Sequence, residues 1–197
     1  MKKAFPKVPW KLSKSDWYVT INPGTKQEFE IWFGGLDDKE RTEKILGNEY
    51  ATIYLNECSQ IPVGSRNIVV TRLAQLVKCL IKGREDTYLK PRMFYDCNPP
   101  SKAHWTYLLF VKKVDPETKK PLPDPHNYVS FQMNPQDNAE NLAAVYLDTL
   151  MGMSARLQKR VLKGEFADAT PNALFPDEVI DQWRHLDGQL PDFVRVA

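Results

Sequence analysis

Apolar residues occur along this chain in short runs and in longer stretches with helical periodicity. Short runs rich in β-branched and aromatic residues predict β-strands, whereas i, i+3/i+4 spacing predicts helices. The predicted strands span residues 17–21, 29–33, 51–55, 92–95 and 128–133. The first two are joined around Asn22-Pro23-Gly24, a Pro- and Gly-based turn that predicts a hairpin.

Helices are predicted at residues 37–46, 66–81, 104–110, 139–151 and 154–163, with a short one at 177–185. Ser65 is the candidate N-cap of the second helix, and Asn138 is the candidate cap of the fourth. The core-facing stripe of the second helix comprises Val69, Leu73, Leu76, Val77 and Leu80. Residues 114–127 form a Pro-rich loop, and residues 192–197 have the composition of the start of a further strand.

Strands that alternate with helices in this order predict an α/β fold with a mainly parallel sheet, flanking helices and a hairpin at one side. Two of the strands end in short polar motifs, Asn56-Glu57 and Asn98-Pro99. The carboxyl ends of parallel strands form the edge at which open α/β sheets bind ligands. We therefore expect both motifs at one edge, in the arrangement of a nucleotide site.

The run from Ala51 to Glu57 is an apolar strand that ends abruptly in a carboxylate. In nucleotide hydrolases this position holds the acidic residues that organise Mg²⁺ and the attacking water. The alternative interpretation of this segment is a buried strand that is simply followed by a solvated glutamate.

Composition and charge restrict the class of protein. The chain has 197 residues, of which 42% are hydrophobic and 26% charged, with a net charge of +2, so we expect a globular domain whose total charge does not indicate a nucleic-acid binder. No apolar run approaches the ~20 residues of a membrane span, and the N-terminal residues lack the apolar core of a signal peptide. Three cysteines without CxxC spacing and three separated histidines indicate neither a disulfide framework nor a zinc site. A reducing, cytoplasmic location is the resulting expectation.

The order of several segments is more specific than any one of them. They are residues 29–36 with their Gly-Gly turn, 44–47, 51–57, 93–99 with the Asn-Pro pair, and 128–166. In this order they resemble the ATPase domain of the phage terminase large subunit, the motor that drives genomic DNA into an empty capsid. The resemblance covers residues 16–186, and we interpret it as the C-terminal portion of that domain, with a P-loop NTPase-like sheet.

The resemblance implies roles for individual residues. Residues 51–57 correspond to the Walker B motif, which makes Glu57 the catalytic carboxylate that polarises the attacking water. Asn98, in the coupling motif, would sense the γ-phosphate or the water and relay hydrolysis to DNA movement. Asn56 stands where the family usually has an acidic residue that holds Mg²⁺ through water, and an amide adds no negative charge there.

The resemblance also implies cofactors and partners. ATP and Mg²⁺ would be the cofactors, with Asn56 and Glu57 in the binding site. Arg41, Lys44 and Arg66 are candidates for an arginine finger that reaches a neighbouring subunit. The implied partners are double-stranded DNA, the portal protein, the small terminase subunit and other large-subunit copies in a ring. The implied location is the host cytoplasm and, transiently, the portal vertex of the procapsid, with no membrane association.

One expected motif is absent from the sequence. There is no G-x-x-x-x-G-K-[ST] phosphate loop, and Gly24-Thr25-Lys26 lies in a hairpin turn without a following helix start. We therefore expect residues 1–186 to be a partial ATPase domain without the phosphate-loop strand, and residues 187–197 to be a linker and the start of a nuclease domain. Such a fragment would be inactive alone, and we expect that it is marginally stable, that its sheet closes up, or that a second chain supplies the missing strand.

Two other functions remain open at this stage. The chain could be a degenerate, non-catalytic α/β binding module, an interpretation favoured by Asn56 and by the absent phosphate loop. It could also derive from another P-loop translocase, although the Asn98-Pro99 tip and residues 134–166 favour terminase. The basic residues Lys159, Arg160 and Lys163 could contact DNA phosphates or form a solvated face. Cys58 and Cys97 are expected to be small packing groups and not nucleophiles.

Overall fold

The computed structural model describes residues 5–36, 45–79, 83, 84 and 87–167. The chain forms two compact units, the first from Met1–Asn56 and Gln60–Tyr95 and the second from Glu57–Ser59 and Asp96–Ala197. Several predictions lie outside the described residues: most of the 37–46 helix, the 177–185 helix, the 192–197 strand and the 187–197 linker. Residues 45 and 46, which end the first of these helices, are helical.

The first unit contains a three-stranded antiparallel sheet in the order β1-β2-β3, with β1 at Trp10–Ser13, β2 at Tyr18–Ile21 and β3 at Phe29–Trp32. The hairpin of β2 and β3 confirms the prediction. Its turn requires positive φ at Asn22 (+51°) and Gly24 (+77°), which Asn and Gly adopt more readily than other residues. The sequence analysis missed β1 although its residues, Trp-Lys-Leu-Ser, alternate between apolar and polar, because an alternation over only four residues is a weak signal.

A second, two-stranded sheet consists of β4 at Thr52–Leu55 and β5 at Arg92–Tyr95. The two strands are parallel, with Leu55 opposite Tyr95, as the sequence predicted. In β4 only Ile53 and Leu55 are buried, whereas Thr52 and Tyr54 are exposed. An unbroken apolar run of this kind predicts a strand buried on both faces, and that prediction is wrong, because Thr52 and Tyr54 on the second face are exposed.

The mainly parallel sheet of the predicted fold class is also corrected. Within the described residues the strands form one antiparallel sheet and one small parallel sheet, which makes the fold mixed α/β. The predicted strand at 128–133 does not form, since no described segment pairs with it. Its apolar side chains are left in solvent, with Phe131 89% and Met133 87% exposed.

The first helix, α1, spans Val63–Val70 and is much shorter than the predicted 66–81. Pro62 is the N-cap residue, a position where its missing N–H removes no helical hydrogen bond. The helix therefore begins before Ser65, which lies inside it and is not its cap. Its end coincides with a run of β-branched residues at 68–71, which have low helix propensity. Residues 77–79 instead pair with residues 87–89 through an antiparallel bridge between Lys78 and Tyr88.

The longer regular elements in the described part of the second unit are helices. Helix α2 spans Trp105–Tyr107 and continues as a π-helical turn, Leu108–Lys112, in agreement with the predicted helix at 104–110. Helix α4, Ala155–Val161, agrees with the prediction at 154–163. Between them α3 spans only Ala144–Met151, because residues 135–141 form a 3-10 segment that is kinked at Asn138. Asn138 is therefore not a helix cap. The core of this unit contains Cys58, Trp105, Leu109, Leu122, Leu150 and Leu162.

Val69 anchors α1, because its side chain is only 2% exposed. We expect Val69→Ala to lower the free energy of unfolding by about 2 kcal/mol, through lost burial and the cavity left behind. The matched control is Ile68→Ala, one position away on the same helix and 44% exposed, for which we expect a loss below about 0.5 kcal/mol. Urea unfolding measures both, and equal losses would contradict this assignment of the core.

Candidate functional site

The candidate site lies where β4 and β5 end. Asn56 and Glu57 follow β4, and Asp96, Cys97 and Asn98 follow β5. Because the two strands are adjacent and parallel, both motifs follow the same edge of the sheet. The predicted placement of these two motifs is therefore confirmed. The side chains of Asn56, Glu57 and Asn98 are all exposed, as groups that meet a ligand must be.

Asp96 organises the chain at this edge through two hydrogen bonds. Its side-chain Oδ1 accepts from the backbone N–H of Glu57 at 3.2 Å. Its backbone carbonyl accepts from the N–H of Cys58 at 2.8 Å. The sequence analysis assigned no role to Asp96. Its position directly after a strand that neighbours the Glu57 strand was the available signal.

Glu57 has a left-handed backbone, with φ of +50°. For a residue other than glycine this conformation is uncommon, and it costs roughly 1–2 kcal/mol. The register of the two strands accounts for it. Leu55 lies opposite Tyr95, so regular pairing would place Glu57 opposite Cys97. The N–H of Cys58 instead bonds to the Asp96 carbonyl, which places Cys58 opposite Cys97. One extra residue is therefore accommodated at Asn56 and Glu57. Extra residues and strained conformations of this kind occur preferentially at functional sites.

Cys58 and Cys97 lie next to these groups, and both are free cysteines. Cys58 is 1% exposed, and Cys97 is half-buried. The hydrogen bond that Cys58 shares with Cys97, together with burial and the nearby negative charges, raises the pKa of the Cys58 thiol well above its ordinary value. The same hydrogen bond lowers the pKa of Cys97.

His104, the histidine closest to this region among the described residues, is used structurally. Its Nδ1 accepts from the backbone N–H of Thr106 at 3.3 Å and so caps α2. Burial lowers the pKa of its imidazole, although a hydrogen bond with the Ser59 backbone opposes the shift.

Of the arginine-finger candidates, only Arg66 lies among the described residues. Its Nε donates to the Tyr95 hydroxyl at 3.1 Å, and its guanidinium lies 5.9 Å from the centre of the Tyr95 ring. A further hydrogen bond joins Nη1 to Asn67 Oδ1 at 3.1 Å. Arg66 thus braces the last residue of β5, and its role as a finger remains a prediction, as do those of Arg41 and Lys44.

The residues at this edge supply oxygen donors for a metal ion. Among the described residues, no group of three or more His, Cys, Asp or Glu side chains could hold one. Mg²⁺ is usually bound by one or two carboxylates together with water and substrate phosphates, so it does not require such a group. The oxygen donors at this edge would therefore supply only a few of the ligands of a bound Mg²⁺, and water and phosphate oxygens would supply the rest.

Comparison with protein families decides the relationship. The family described as terminase large subunit, T4likevirus-type, N-terminal, matches residues 4–182. The chain belongs to this terminase family. The predicted resemblance to the terminase large subunit is thereby confirmed. The finer expectation that the chain is the C-terminal portion of the ATPase domain is wrong, because the matching family describes the N-terminal part of the large subunit.

Solved structures show the same fold. The large terminase from a thermophilic bacteriophage (crystal form 2) matches with a TM-score of 0.60 and 19% identity, over 85% of this chain and 35% of that one. The complex of that terminase with ADP matches with a TM-score of 0.57 and 18% identity, over 84% and 36% of the two chains. The complex with ATP-gamma-S gives 0.57 and 17%, over 84% and 34%.

This chain therefore spans about a third of the length of the terminase structures that it matches. A search of curated proteins found no match. Within the described residues, no helix has both the length and the apolar character that crossing a membrane would require.

The strained backbone of Glu57 leads to a stability prediction. Glu57→Gly should relieve the left-handed penalty of roughly 1–2 kcal/mol and lose about 0.4–1 kcal/mol through the more flexible unfolded chain, for a net gain of about 0–1.6 kcal/mol. Glu57→Ala keeps the strain and should give no gain. Urea unfolding separates these outcomes.

The control for this comparison is Glu49→Gly. Glu49 is exposed and lies before β4, and its φ is not positive. Glycine there should be neutral or destabilising. Equal stabilities of the Glu57→Gly and Glu57→Ala variants would show that residue 57 carries no conformational strain.

Proposed function

We propose that this chain contributes the water-activating edge of the ATP-hydrolysing motor with which a phage terminase packages double-stranded DNA into the procapsid. One observation carries the proposal: β4 and β5 are parallel neighbours, and an exposed Glu57 and an exposed Asn98 follow them at the same edge. Membership of the terminase large-subunit family supports it. The complexes of the thermophilic phage's large terminase with ADP and ATP-gamma-S support a nucleotide as the ligand.

Glu57 is the proposed catalytic residue. An ionised carboxylate can accept a proton or a hydrogen bond from the attacking water, which raises the nucleophilicity of that water. Asp96 fixes the backbone of Glu57 through the 3.2 Å hydrogen bond, so the carboxylate starts from a defined main-chain position. A preorganised base needs less reorganisation when the nucleotide binds.

Asn98 is the proposed coupling residue. Its amide can donate to a γ-phosphate oxygen or accept from the attacking water, so its hydrogen bonds must change when the γ-phosphate leaves. Asn98 follows β5 by three residues, and a change there would pass to the segment that leads into α2. This is the proposed route from hydrolysis to DNA movement.

Mg²⁺, when bound with ATP, would neutralise charge on the phosphates and orient them. Asn56 can accept a hydrogen bond from a metal-bound water, and Glu57 is the adjacent carboxylate. Asn56 contributes no charge, so we propose that phosphate oxygens and water supply most of the ligands. The sequence contains no phosphate-loop motif, and we propose that a segment outside these 197 residues holds the phosphates.

The remaining expectations belong to the same proposal. The packaging motor would act on double-stranded DNA at the portal vertex, in the host cytoplasm, with the portal protein, the small subunit and further large-subunit copies as partners. Arg41, Lys44 or Arg66 would serve a neighbouring subunit. Arg66 would have to leave Tyr95 in order to do so. Residues 1–186 would form part of the ATPase domain, with a P-loop-like sheet.

A second candidate function is a non-catalytic binding module on the same scaffold. The uncharged Asn56 favours it, because the position lacks the negative charge that would strengthen metal binding. The two functions differ in whether Glu57 is required for turnover.

The catalytic role of Glu57 is tested in a full-length large subunit that carries this segment. We expect Glu57→Gln to lower the rate of ATP hydrolysis by about 100-fold or more, because glutamine cannot act as a general base. ATP binding should be nearly unchanged, since the side chain keeps its size. The control is Glu49→Gln, which removes an exposed carboxylate before β4 and should leave turnover intact. Retained turnover in Glu57→Gln would remove Glu57 from its assigned role.

A binding measurement tests the proposed division of the nucleotide site. The 197-residue chain by itself should bind ATP with a Kd weaker than about 1 mM, because it has no phosphate-loop motif to supply the main contacts. Isothermal titration calorimetry with Mg-ATP measures this directly. Micromolar affinity would contradict the proposal that the phosphates are held from outside these residues.

A further inference from the structure

Cys58 and Cys97 form a pair that the proposed motor function does not use. Both belong to the second unit, in the segments that follow β4 and β5. The third cysteine, Cys79, belongs to the first unit and pairs with neither of them.

A backbone hydrogen bond joins the two segments at the position of the pair. The N–H of Cys58 donates to the carbonyl oxygen of Asp96 at 2.8 Å, the hydrogen bond of a residue that lies opposite Cys97 in a parallel ladder. Neighbouring strands lie about 4.8 Å apart, within the roughly 4.4–6.8 Å range of Cα separations in disulfides. Side chains of opposite residues in such a ladder leave the same face, so the two thiols meet.

The two thiols lie close enough to shift each other's pKa: their interaction raises the pKa of Cys58 and lowers that of Cys97. Their access to solvent differs. Cys97 is half-buried and can be reached from outside, whereas Cys58 is only 1% exposed. A reagent therefore reaches Cys97 first, and Cys58 stands behind it as the only partner in contact within the described residues.

We propose that Cys58 and Cys97 form a redox modification site, which low-molecular-weight disulfides such as oxidised glutathione convert into an intramolecular disulfide. In the first step the deprotonated Cys97 sulfur attacks one sulfur of the reagent, forms a mixed disulfide and releases one thiolate. In the second step Cys58 loses its proton, attacks the Cys97 sulfur and releases the second thiolate. The protein loses two electrons and two protons, and the reagent is reduced to two thiols.

The product ties the segment after β4 to the segment after β5. Asp96 lies directly before Cys97, and its two hydrogen bonds hold Glu57 and Cys58, so little backbone movement is needed. A low-molecular-weight thiol reverses the change. The inference does not depend on the catalytic role of Glu57, because it concerns only the chemistry of the two sulfurs.

The test uses the native 197-residue chain and oxidised glutathione. After incubation, free thiols are blocked with N-ethylmaleimide, the chain is digested, and the peptides are identified by mass spectrometry. We expect a Cys58–Cys97 linked peptide as the main product, with Cys79 blocked as a free thiol, and we expect dithiothreitol to restore all three thiols. Glutathione that stays on Cys97, or a linked peptide that contains Cys79, would overturn the proposal.

Two variants separate the roles of the sulfurs. Cys58→Ser should accumulate the mixed disulfide on Cys97, because the second step has no nucleophile. In Cys97→Ser, only Cys58 of the pair remains, and it is buried. It should take up glutathione roughly tenfold or more slowly than Cys97 does in Cys58→Ser. Equal rates of uptake in the two variants would contradict the proposed order of attack.

Discussion

The parallel pairing of β4 with β5 is the constraint on which the candidate site depends. A parallel pair sends both chains out of the sheet at the same edge, whereas an antiparallel pair would put Glu57 and Asn98 at opposite edges. Asp96 then restrains the backbone locally, because it accepts hydrogen bonds from two successive amides of the neighbouring segment, those of Glu57 and Cys58. The chemistry proposed for Glu57 and Asn98 requires both the pairing and this local restraint.

The same edge combines features that would be unfavourable elsewhere. A glutamate in a left-handed conformation, exposed polar side chains and a buried thiol lie within a few residues of one another. In an ordinary strand end, glycine or asparagine would relieve the strain. The strain persists because Asp96 and the burial of Cys58 fix the backbone on either side. The buried thiol thus contributes to positioning the exposed carboxylate, although it takes no part in the proposed hydrolysis.

Sequence patterns predicted the pairing of β4 with β5 better than they predicted the whole fold. The bounds of β5 and the β2–β3 hairpin followed from local composition and turn residues, and the order of motifs identified the terminase family. Helix α1 was overextended, because Leu73, Leu76 and Val77 kept a helical spacing although residues 71–74 form turns and residues 77–79 pair with residues 87–89. The 128–133 strand failed because a strand needs a partner, which alternation alone does not supply. Asp96 was missed because a backbone hydrogen bond leaves no pattern in the sequence.

The long separation of β4 and β5 along the chain has a consequence for synthesis in the cell. Leu55, the last residue of β4, and Arg92, the first of β5, are 37 positions apart (92 − 55). At about 5–20 residues per second, the ribosome needs roughly 2–7 s to make that stretch. During this time β4 has no strand beside it, and Ile53 and Leu55 are available to chaperones or to other nascent chains. The parallel pair can therefore close only after translation has passed residue 95.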